Sequence, residues 1–397
     1  MPSNPVPYAM FSQAEMERRY ARARELMAPR GLDALLISGD ENFQYFAAAH
    51  AGIGGHFSLS RPSIFILPAR GEPIIVTQGG DSIALSCYVQ DVRGYSGLLQ
   101  FPHAVVLQAL RDAGLAQRRV GAELGQEQRM GMPVGAYLDL VGALPEVQFV
   151  DAADVLIRTR MVKSEEELVY IRTAAQITAR ARQRLYDGEI VAGMTERQAV
   201  RALRRLMLEE GADRMSFCHI QNNLPGHTNQ FHYDRPLERG MLIGMDSGAY
   251  FGMYTVDYPR FVALGHASAE QRRVHEAVKY VNRAMAEALR PGLTCAELHH
   301  IALEACKQAE VEPDAAHKRP GTRMGHGQGI LLTEPPSITE DDHTVLEPGV
   351  VLSTEPSISG GSAGGNVEIV WEDVHVITPN GHEQITQEPD ELRVIPF

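Results

Sequence analysis

The chain has 397 residues, more than one hydrophobic core usually organises, so its length predicts two domains. A composition of 44% hydrophobic and 22% charged residues excludes a largely disordered chain, a collagen-like fibre and a coiled coil. The 37 basic and 50 acidic residues give a formal charge of −13, and the sequence has no basic cluster, so no nucleic-acid partner is expected.

The compartment is predicted from the apolar segments and the cysteines. No apolar run approaches the roughly 20 residues that cross a bilayer, and the first residues lack the basic and apolar regions of a secretory signal. The 4 cysteines are scattered without a CxxC pair, which predicts neither a disulfide framework nor a thiolate metal site. We therefore expect a cytoplasmic protein with no membrane partner.

The first part of the chain predicts an α/β layer. Ser12 and Glu15 have capping-box spacing at the start of a helix that ends at Gly31. The predicted buried strands are 33–38, 63–67 and 73–77. Further helix–strand alternation continues to residue 150 or so.

The second part contains an internal repetition. Ser164 and Glu167 open one long predicted helix, 165–186, and a second long helix is predicted at 269–289. Each is followed by a Gly-x-Thr turn and another helix, first at Thr195 and then at Thr294. The pattern predicts a duplicated domain, and the alternative is a chance match, because capping boxes are common.

Each half of the repetition is followed by a predicted hairpin with two acidic residues, Asp246 and Asp257 in the first and Glu355 and Glu372 in the second. Acidic residues among apolar strand residues are costly unless they are paired or bound to a cation. No run of Lys or Arg is placed to neutralise them. Together with His326, which stands in a Gly-rich segment, they predict a site for two divalent metal ions. Oxygen-rich ligation favours manganese, with iron, cobalt or zinc as alternatives.

The motifs resemble those of one known family. The segment from Asp246 to Arg260 resembles the D-x-G-(8)-D-x-x-R segment of the creatinase, aminopeptidase P and prolidase family, which has the pita-bread fold. The segments around His326, Glu355 and Glu372 resemble its remaining motifs, in order. The resemblance covers essentially the whole chain. It implies an α/β (α+β) fold class, with a creatinase-like N-terminal domain at 1–158 and a pita-bread catalytic domain with pseudo-twofold duplication at 159–397.

The same resemblance implies a role for each ligand. Asp257 and Glu372 would bridge both ions, Asp246 would bind one ion, and His326 and Glu355 would bind the other. Glu355 is also the position to which the family assigns proton transfer during catalysis. Creatinase itself has lost the metal ligands, whereas this sequence keeps all five, so the resemblance implies a metal-dependent enzyme.

The substrate-side residues implied by the resemblance are less specific. His232 or His227 matches the family's histidine that contacts the leaving group, with His232 slightly favoured, and the alternative is a loop histidine with no chemical role. Arg61 resembles an N-terminal-domain arginine that reaches the neighbouring subunit's site and holds a substrate carboxylate, which implies a homodimer. The alternative for Arg61 is a solvated loop arginine.

One position departs from the family pattern. Peptidases of this family carry a second histidine seven residues after the metal-binding one, and here Thr333 takes its place. A threonine hydroxyl is shorter and neutral, so either the metals hold the oxyanion or the reaction is not peptide cleavage.

From the motifs as a whole, we expect an Xaa-Pro-dipeptidase-like hydrolase of a C–N bond in a small carboxylate-bearing substrate. The alternatives are a specialised non-peptide hydrolase or lyase on the same fold, and a non-catalytic binding protein.

Overall fold

The computed structural model describes residues 6–49, 61–78, 80–222, 234–313, 322–360 and 367–397. The chain divides into two compact units, Met1–Arg160 and Met161–Phe397. None of the helices in the described ranges combines the length and the apolar character that crossing a bilayer requires.

The N-terminal unit is built on one six-stranded sheet with the strand order β4-β3-β2-β1-β5-β6. Its strands are β1 (Ala34–Ile37), β2 (Ile64–Pro68), β3 (Ile74–Thr77), β4 (Asp91–Gly94), β5 (Arg119–Ala122) and β6 (Gln148–Asp151). Its helices are α1 (Gln13–Met27), α2 (Asp40–Ala47), α3 (Gly80–Ile83), α4 (His103–Asp112), α5 (Val134–Ala143) and α6 (Ala153–Met161), with a 3₁₀ turn at Ala28–Arg30. The three buried strands predicted from their apolar runs are confirmed as β1, β2 and β3.

This sheet is mixed, and helices pack against it. β1 is parallel to β5 but antiparallel to β2, and β5 is parallel to β6. On one face, Leu36, Ile66 and Val76 from the strands form a core with Val106 of α4 and Leu140 of α5. Burial of these apolar side chains stabilises the layer, and the predicted α/β class of this unit is confirmed.

The C-terminal unit contains the duplicated elements. Its helices are α7 (Glu165–Arg184), α8 (Glu196–Glu209), α9 (Ala269–Ala288) and α10 (Cys295–Gln308), with a π-helical turn at Leu185–Glu189. Its strands are β7 (Arg214–Asn222), β8 (Leu242–Phe251), β9 (Tyr254–Thr255), β10 (Phe261–Leu264), β11 (Glu312–Pro313), β12 (His326–Gly327), β13 (Glu334–Ser337), β14 (Val351–Thr354), β15 (Ser357–Gly360), β16 (Val367–Val370), β17 (Asp373–Thr378), β18 (Gly381–Gln384) and β19 (Arg393–Ile395).

The two halves of this unit match element by element. α7 and α9 each have 20 residues, and α8 and α10 each have 14. Every one of these four helices begins with a complete capping box, at Ser164, Thr195, Ser268 and Thr294. The first half leads into the sheet β19-β10-β8-β7, to which β9 is added, and the second into the sheet β13-β12-β14-β17-β18. The predicted pseudo-twofold duplication is confirmed.

The second predicted hairpin differs from the structure. The sequence predicts one strand through 350–356 and one through 367–377. In the structure, 350–356 contains β14 and is followed by β15, which belongs to another sheet, and 367–377 is divided between β16 and β17, which also belong to different sheets. β14 pairs with β17, whereas β15 pairs with β16 and β11 in a separate three-stranded sheet. At the break, the Trp371 backbone N–H donates to the Pro356 carbonyl at 3.1 Å. Glu355 and Glu372 therefore lie where the chain passes from one sheet to the other.

Candidate metal centre

Five predicted ligands come from different elements of the C-terminal unit. Asp246 lies in the middle of β8, and Asp257 lies in the segment between β9 and β10. His326 begins β12, Glu355 follows β14, and Glu372 precedes β17. Four of these ligands are buried: Asp246, Asp257, His326 and Glu372. The side chain of the fifth, Glu355, is 22% exposed.

Two glycines allow the backbone segments to approach closely at this site. A Cβ atom at Gly248, two residues after Asp246, would lie 1.5 Å from the Val256 carbonyl oxygen. Gly325 has φ +150, and a Cβ atom there would lie 2.1 Å from the Ser353 carbonyl oxygen. Both positions therefore require glycine, and both place a ligand next to a neighbouring strand.

The ligand atoms lie within the range that metal coordination needs. One ligand atom each from Asp257, His326 and Glu372 lies within 4.8 Å of the others, so these three residues form a group that can hold a metal ion. His326 Nε2 is 3.7 Å from Glu355 Oε2 and 3.9 Å from Glu372 Oε1. His326 Nδ1 is 3.0 Å from the Gly327 carbonyl oxygen, which leaves Nε2 facing the carboxylates.

Burial and mutual repulsion shift the titration of the cluster. Burial, followed by the negative charge of Glu355, raises the pKa of Asp246 to about 8. The pKa values of Asp257 and Glu372 are raised well above the ordinary range, first by burial and then by their acidic neighbours. Burial, together with the nearby Arg323 cation, lowers the pKa of His326 to about 3, so this ring is neutral.

These residues fit divalent cations. Asp246 Oδ1 and Glu372 Oε2 are buried and have no hydrogen-bond partner among the described residues. Buried carboxylate oxygens without a donor are costly, and oxygen-binding cations such as manganese compensate that cost. A neutral imidazole beside them is a further ligand of the kind that such ions accept.

The sequence reasoning missed Gln328, which lies at the centre of the cluster. Its side chain is fully buried, and Nε2 lies 2.5 Å from Asp257 Oδ1 and 3.0 Å from Glu372 Oε1. Its Oε1 accepts from the Asp257 backbone N–H at 3.3 Å. The feature of the sequence that could have identified Gln328 is its position, two residues after His326 and between two glycines.

The sequence reasoning also assigned no role to three arginines that act on the site, although Arg260 closes the motif that begins at Asp246. Arg182 is fully buried and donates to the carbonyls of Met245, at 3.1 Å, and Tyr258, at 2.6 Å, which adjoin Asp246 and Asp257 in the chain. Arg260 donates to the Glu372 carbonyl at 2.7 Å and pairs with Asp373 at 2.5 Å. Both fix the backbone at the ligands.

The third arginine, Arg323, lies three residues before His326. It is half-buried, and its Nη2 lies 3.4 Å from Thr333 Oγ1. Its positive charge opposes the rise in the pKa of Asp257. The sequence has no run of Lys or Arg placed to neutralise the carboxylates, whereas among the described residues Arg323 brings a cation close to them.

The remaining predicted residues lie elsewhere. His227 and His232 fall outside the described residues. Arg61 belongs to the N-terminal unit, where it is half-buried and its Nε has no hydrogen-bond partner in the described ranges. Burial raises the pKa of Tyr95 to about 12, and the positive charge of Arg61 opposes that rise. The contact of Arg61 with a neighbouring subunit's site stays a prediction.

Comparison with known proteins gives matches over both units. The family model described as "Metallopeptidase family M24" matches residues 169–379, and "Creatinase/Prolidase N-terminal domain" matches residues 19–162. An Xaa-Pro dipeptidase of Pyrococcus furiosus is 32% identical over 249 residues, 62% of this chain and 68% of the relative. An Xaa-Pro dipeptidase of Pyrococcus horikoshii is 26% identical over 95% of this chain and 99% of its own length. The crystal structure of dipeptidase PepE from Mycobacterium ulcerans is 27% identical, with a TM-score of 0.77, over 98% of this chain and 100% of that one.

Proposed function

This chain belongs to metallopeptidase family M24 and is a metallohydrolase, and we propose that it is a prolidase-like enzyme that uses two divalent ions to hydrolyse an Xaa-Pro dipeptide. The resemblance found in the sequence motifs is thereby confirmed at the level of the family. The Xaa-Pro dipeptidases among its relatives favour an enzyme over the alternative of a non-catalytic binding protein. We assign the catalytic role to the domain at 159–397.

The observation that supports this proposal best is the convergence of four carboxylates and one neutral imidazole in a buried cluster. Two of the carboxylate oxygens, on Asp246 and Glu372, have no donor among the described residues. Four negative charges balance two doubly charged ions, and oxygen-rich ligation favours manganese. Two of the relatives described above are Xaa-Pro dipeptidases, which supports peptide hydrolysis.

In this proposal each ligand has a distinct position. Asp257 and Glu372 would hold both ions, Asp246 would hold one, and His326 and Glu355 would hold the other. When bound, such a pair of ions polarises a substrate carbonyl and lowers the pKa of water. Gln328 keeps Asp257 and Glu372 oriented through its amide hydrogen bonds.

The protein's own groups then move protons and hold the substrate. Glu355 is the carboxylate of the cluster with solvent access, and we assign to it the proton of the attacking water and its delivery to the leaving nitrogen. Arg61 of a neighbouring subunit in a homodimer would hold the substrate carboxylate, for which a guanidinium is suited. His232, or His227, would contact the leaving group.

A second candidate function is supported by Thr333. This half-buried residue stands where the peptidases have a histidine, and its hydroxyl cannot take that histidine's charged form. A small non-peptide amide would then be the substrate of the same metal centre. The two candidates share the ligands and differ in the bond that is cleaved.

The experiment is hydrolysis of an Xaa-Pro dipeptide panel by manganese-loaded protein, with products identified by NMR and metal content measured by mass spectrometry. We expect the release of free proline and a bound metal content of two manganese ions per chain. Glu355→Gln is the catalytic control, because it keeps the shape of the side chain but removes the proton acceptor; since Glu355 is also assigned as a metal ligand, its activity is compared at equal metal content. A protein that holds two metals and leaves every dipeptide intact would contradict the peptidase proposal and direct the search to small amides.

A further inference from the structure

Arg323 places a guanidinium next to the position where the sequence departs from the peptidase pattern. Its Nη2 lies 3.4 Å from Thr333 Oγ1, and both residues are half-buried. The backbone on its C-terminal side is fixed, because the carbonyl of Met324 accepts from the Glu355 N–H at 2.7 Å and the N–H of Met324 donates to Ile338 at 2.8 Å. Arg323 is therefore attached to a rigid part of the metal cluster.

Arg323 has no ion-pair partner in the part of the chain that the structure describes. The structure records other arginines of this unit, such as Arg172, Arg182 and Arg260, in ion pairs with carboxylates. The positive charge of Arg323 nevertheless acts on Asp257 and His326. Within the described ranges the Arg323 side chain makes one hydrogen bond, to the Thr333 hydroxyl, whereas a guanidinium has five N–H donors.

We propose that Arg323 and Thr333 form the binding site for an anionic oxygen of the substrate, beside the metal centre. This inference rests on the proposed function, because it places the anion on the substrate of that same site. The guanidinium supplies the positive charge and the threonine supplies a hydroxyl donor. Together they provide what the single missing histidine would provide, a charged donor at this position.

Two oxygens of a dipeptide fit this chemistry, and kinetics separate them. One is the oxyanion that develops when water adds to the scissile carbonyl. As the new C–O bond forms, the π electrons of the carbonyl move onto its oxygen and one water proton goes to Glu355. When the tetrahedral intermediate then collapses, the C–N bond breaks and that proton passes from Glu355 to the leaving nitrogen. The other is the substrate carboxylate, which is charged before reaction and which Arg323 would then hold in place of Arg61. Removing a donor to the developing oxyanion lowers kcat, whereas removing a donor to the substrate carboxylate raises KM.

The test compares Arg323→Met, Arg323→Lys and Thr333→Val with wild type, all loaded with manganese. We expect Arg323→Met to lower kcat/KM about 100-fold or more, in line with the loss of one oxyanion donor, and Arg323→Lys to retain part of the activity. A fall in kcat assigns the developing oxyanion, and a rise in KM assigns the carboxylate. Unchanged kcat and KM in a folded variant with full metal content would overturn the proposal.

A binding measurement keeps this test separate from the choice of substrate. Methylphosphonate, a small tetrahedral anion, is titrated calorimetrically into the manganese-loaded wild type and Arg323→Met. A loss of affinity of about tenfold or more, at unchanged metal content, supports the anion site even if no dipeptide is cleaved. Equal affinity in both proteins contradicts it. Arg290→Met is the matched control, because this exposed arginine contacts the Ala288 carbonyl on α9, and its substitution should leave both measurements unchanged.

Discussion

Gln328 and Asp257 are joined by hydrogen bonds at both ends of the Gln328 amide. Nε2 of Gln328 lies 2.5 Å from Asp257 Oδ1, and Oε1 of Gln328 accepts from the Asp257 backbone N–H at 3.3 Å. The same Nε2 lies 3.0 Å from Glu372 Oε1. A neutral amide thus orients two carboxylates without adding a fifth negative charge, which a glutamate of the same shape would do.

We predict that Gln328→Leu lowers manganese affinity by about 10–100-fold, because residues that orient metal ligands have effects of this size. The leucine keeps the side-chain volume but cannot donate to Asp257 or Glu372. Affinity is measured by competition with a fluorescent chelator. Gln308→Leu is the control, because Gln308 is exposed on α10 and its side chain accepts from the Tyr280 hydroxyl rather than contacting a ligand. Equal affinities in the Gln328 variant and wild type would show that its hydrogen bonds do not orient the ligands.

Asp257→Asn tests the assignment of Asp257 to both ions. The variant keeps the shape of the side chain and removes its charge, so we expect it to lose bound metal and activity together. Its metal-free form should melt at a higher temperature than metal-free wild type, because burial and the charges of Asp246 and Glu355 disfavour the ionised carboxylate. Metal content by mass spectrometry and thermal unfolding in EDTA check both. An active variant with two bound metals is incompatible with the assignment.

The elements that could be predicted from the sequence are those formed by interactions between residues close together in the chain. The capping boxes at Ser164 and Thr195 form between residues three apart, so spacing alone reveals them. The same holds for the acidic residues on apolar strands, since a carboxylate at Asp246 or Glu372 stands out against its apolar neighbours. Local spacing therefore predicted the duplicated unit and singled out the acidic residues, whose role as metal ligands stays a prediction.

What the sequence did not predict depends on contacts between distant residues. Arg182 of α7 bonds to the carbonyls of Met245 and Tyr258, and nothing in the helix distinguishes it from other arginines. The division of 367–377 into two strands is likewise set by pairing with β14 and β15, which come earlier in the chain. The approach of Arg323 to Thr333 requires the turn between β12 and β13. Tertiary pairing decides all three.

The metal-free protein should lose stability as the pH rises. The unfolded pKa of Asp246 is near 3.8 and its folded pKa is about 8, so between these values the folded state binds more protons than the unfolded state. The free energy of unfolding therefore falls with pH across this window, by up to about 1.4 kcal/mol per pH unit for one such proton. The contribution of Asp246 to the free energy of unfolding is fully present below its unfolded-state pKa and is lost as the pH rises through its folded-state pKa. Asp257 and Glu372, whose pKa values are also raised, act in the same direction.

Thermal unfolding at pH 5, 7 and 9, in EDTA and with manganese, measures this effect. Metal binding requires the ionised carboxylates, so the stabilisation by manganese should grow as the pH rises. The gap between the two melting temperatures is the quantity to compare, because other titrating groups contribute to both series. A gap that stays constant or narrows from pH 5 to 9 would contradict the raised pKa values of the cluster.

The buried ion pair between Lys163 and Glu334 gives a prediction about stability. Lys163 Nζ lies 2.7 Å from Glu334 Oε1, and the two side chains are 1% and 3% exposed. Lys163→Met removes this cation from beside a buried carboxylate, and we expect a loss of about 3–5 kcal/mol in the free energy of unfolding. The double variant with Glu334→Leu should recover most of this loss, because it removes the buried carboxylate as well. Urea unfolding measures both.

The exposed pair between Lys307 and Glu304 is the matched control for this prediction. Its atoms are closer, at 2.5 Å, but the side chains are 71% and 62% exposed. Because water solvates both charges, Lys307→Met should change the free energy of unfolding by about 1 kcal/mol or less. If both single substitutions had the same small effect, burial would not be what makes the Lys163–Glu334 pair matter. If the Lys163 variant alone were strongly destabilised and the double variant were not, the cost would belong to the isolated charge rather than to the lost contact.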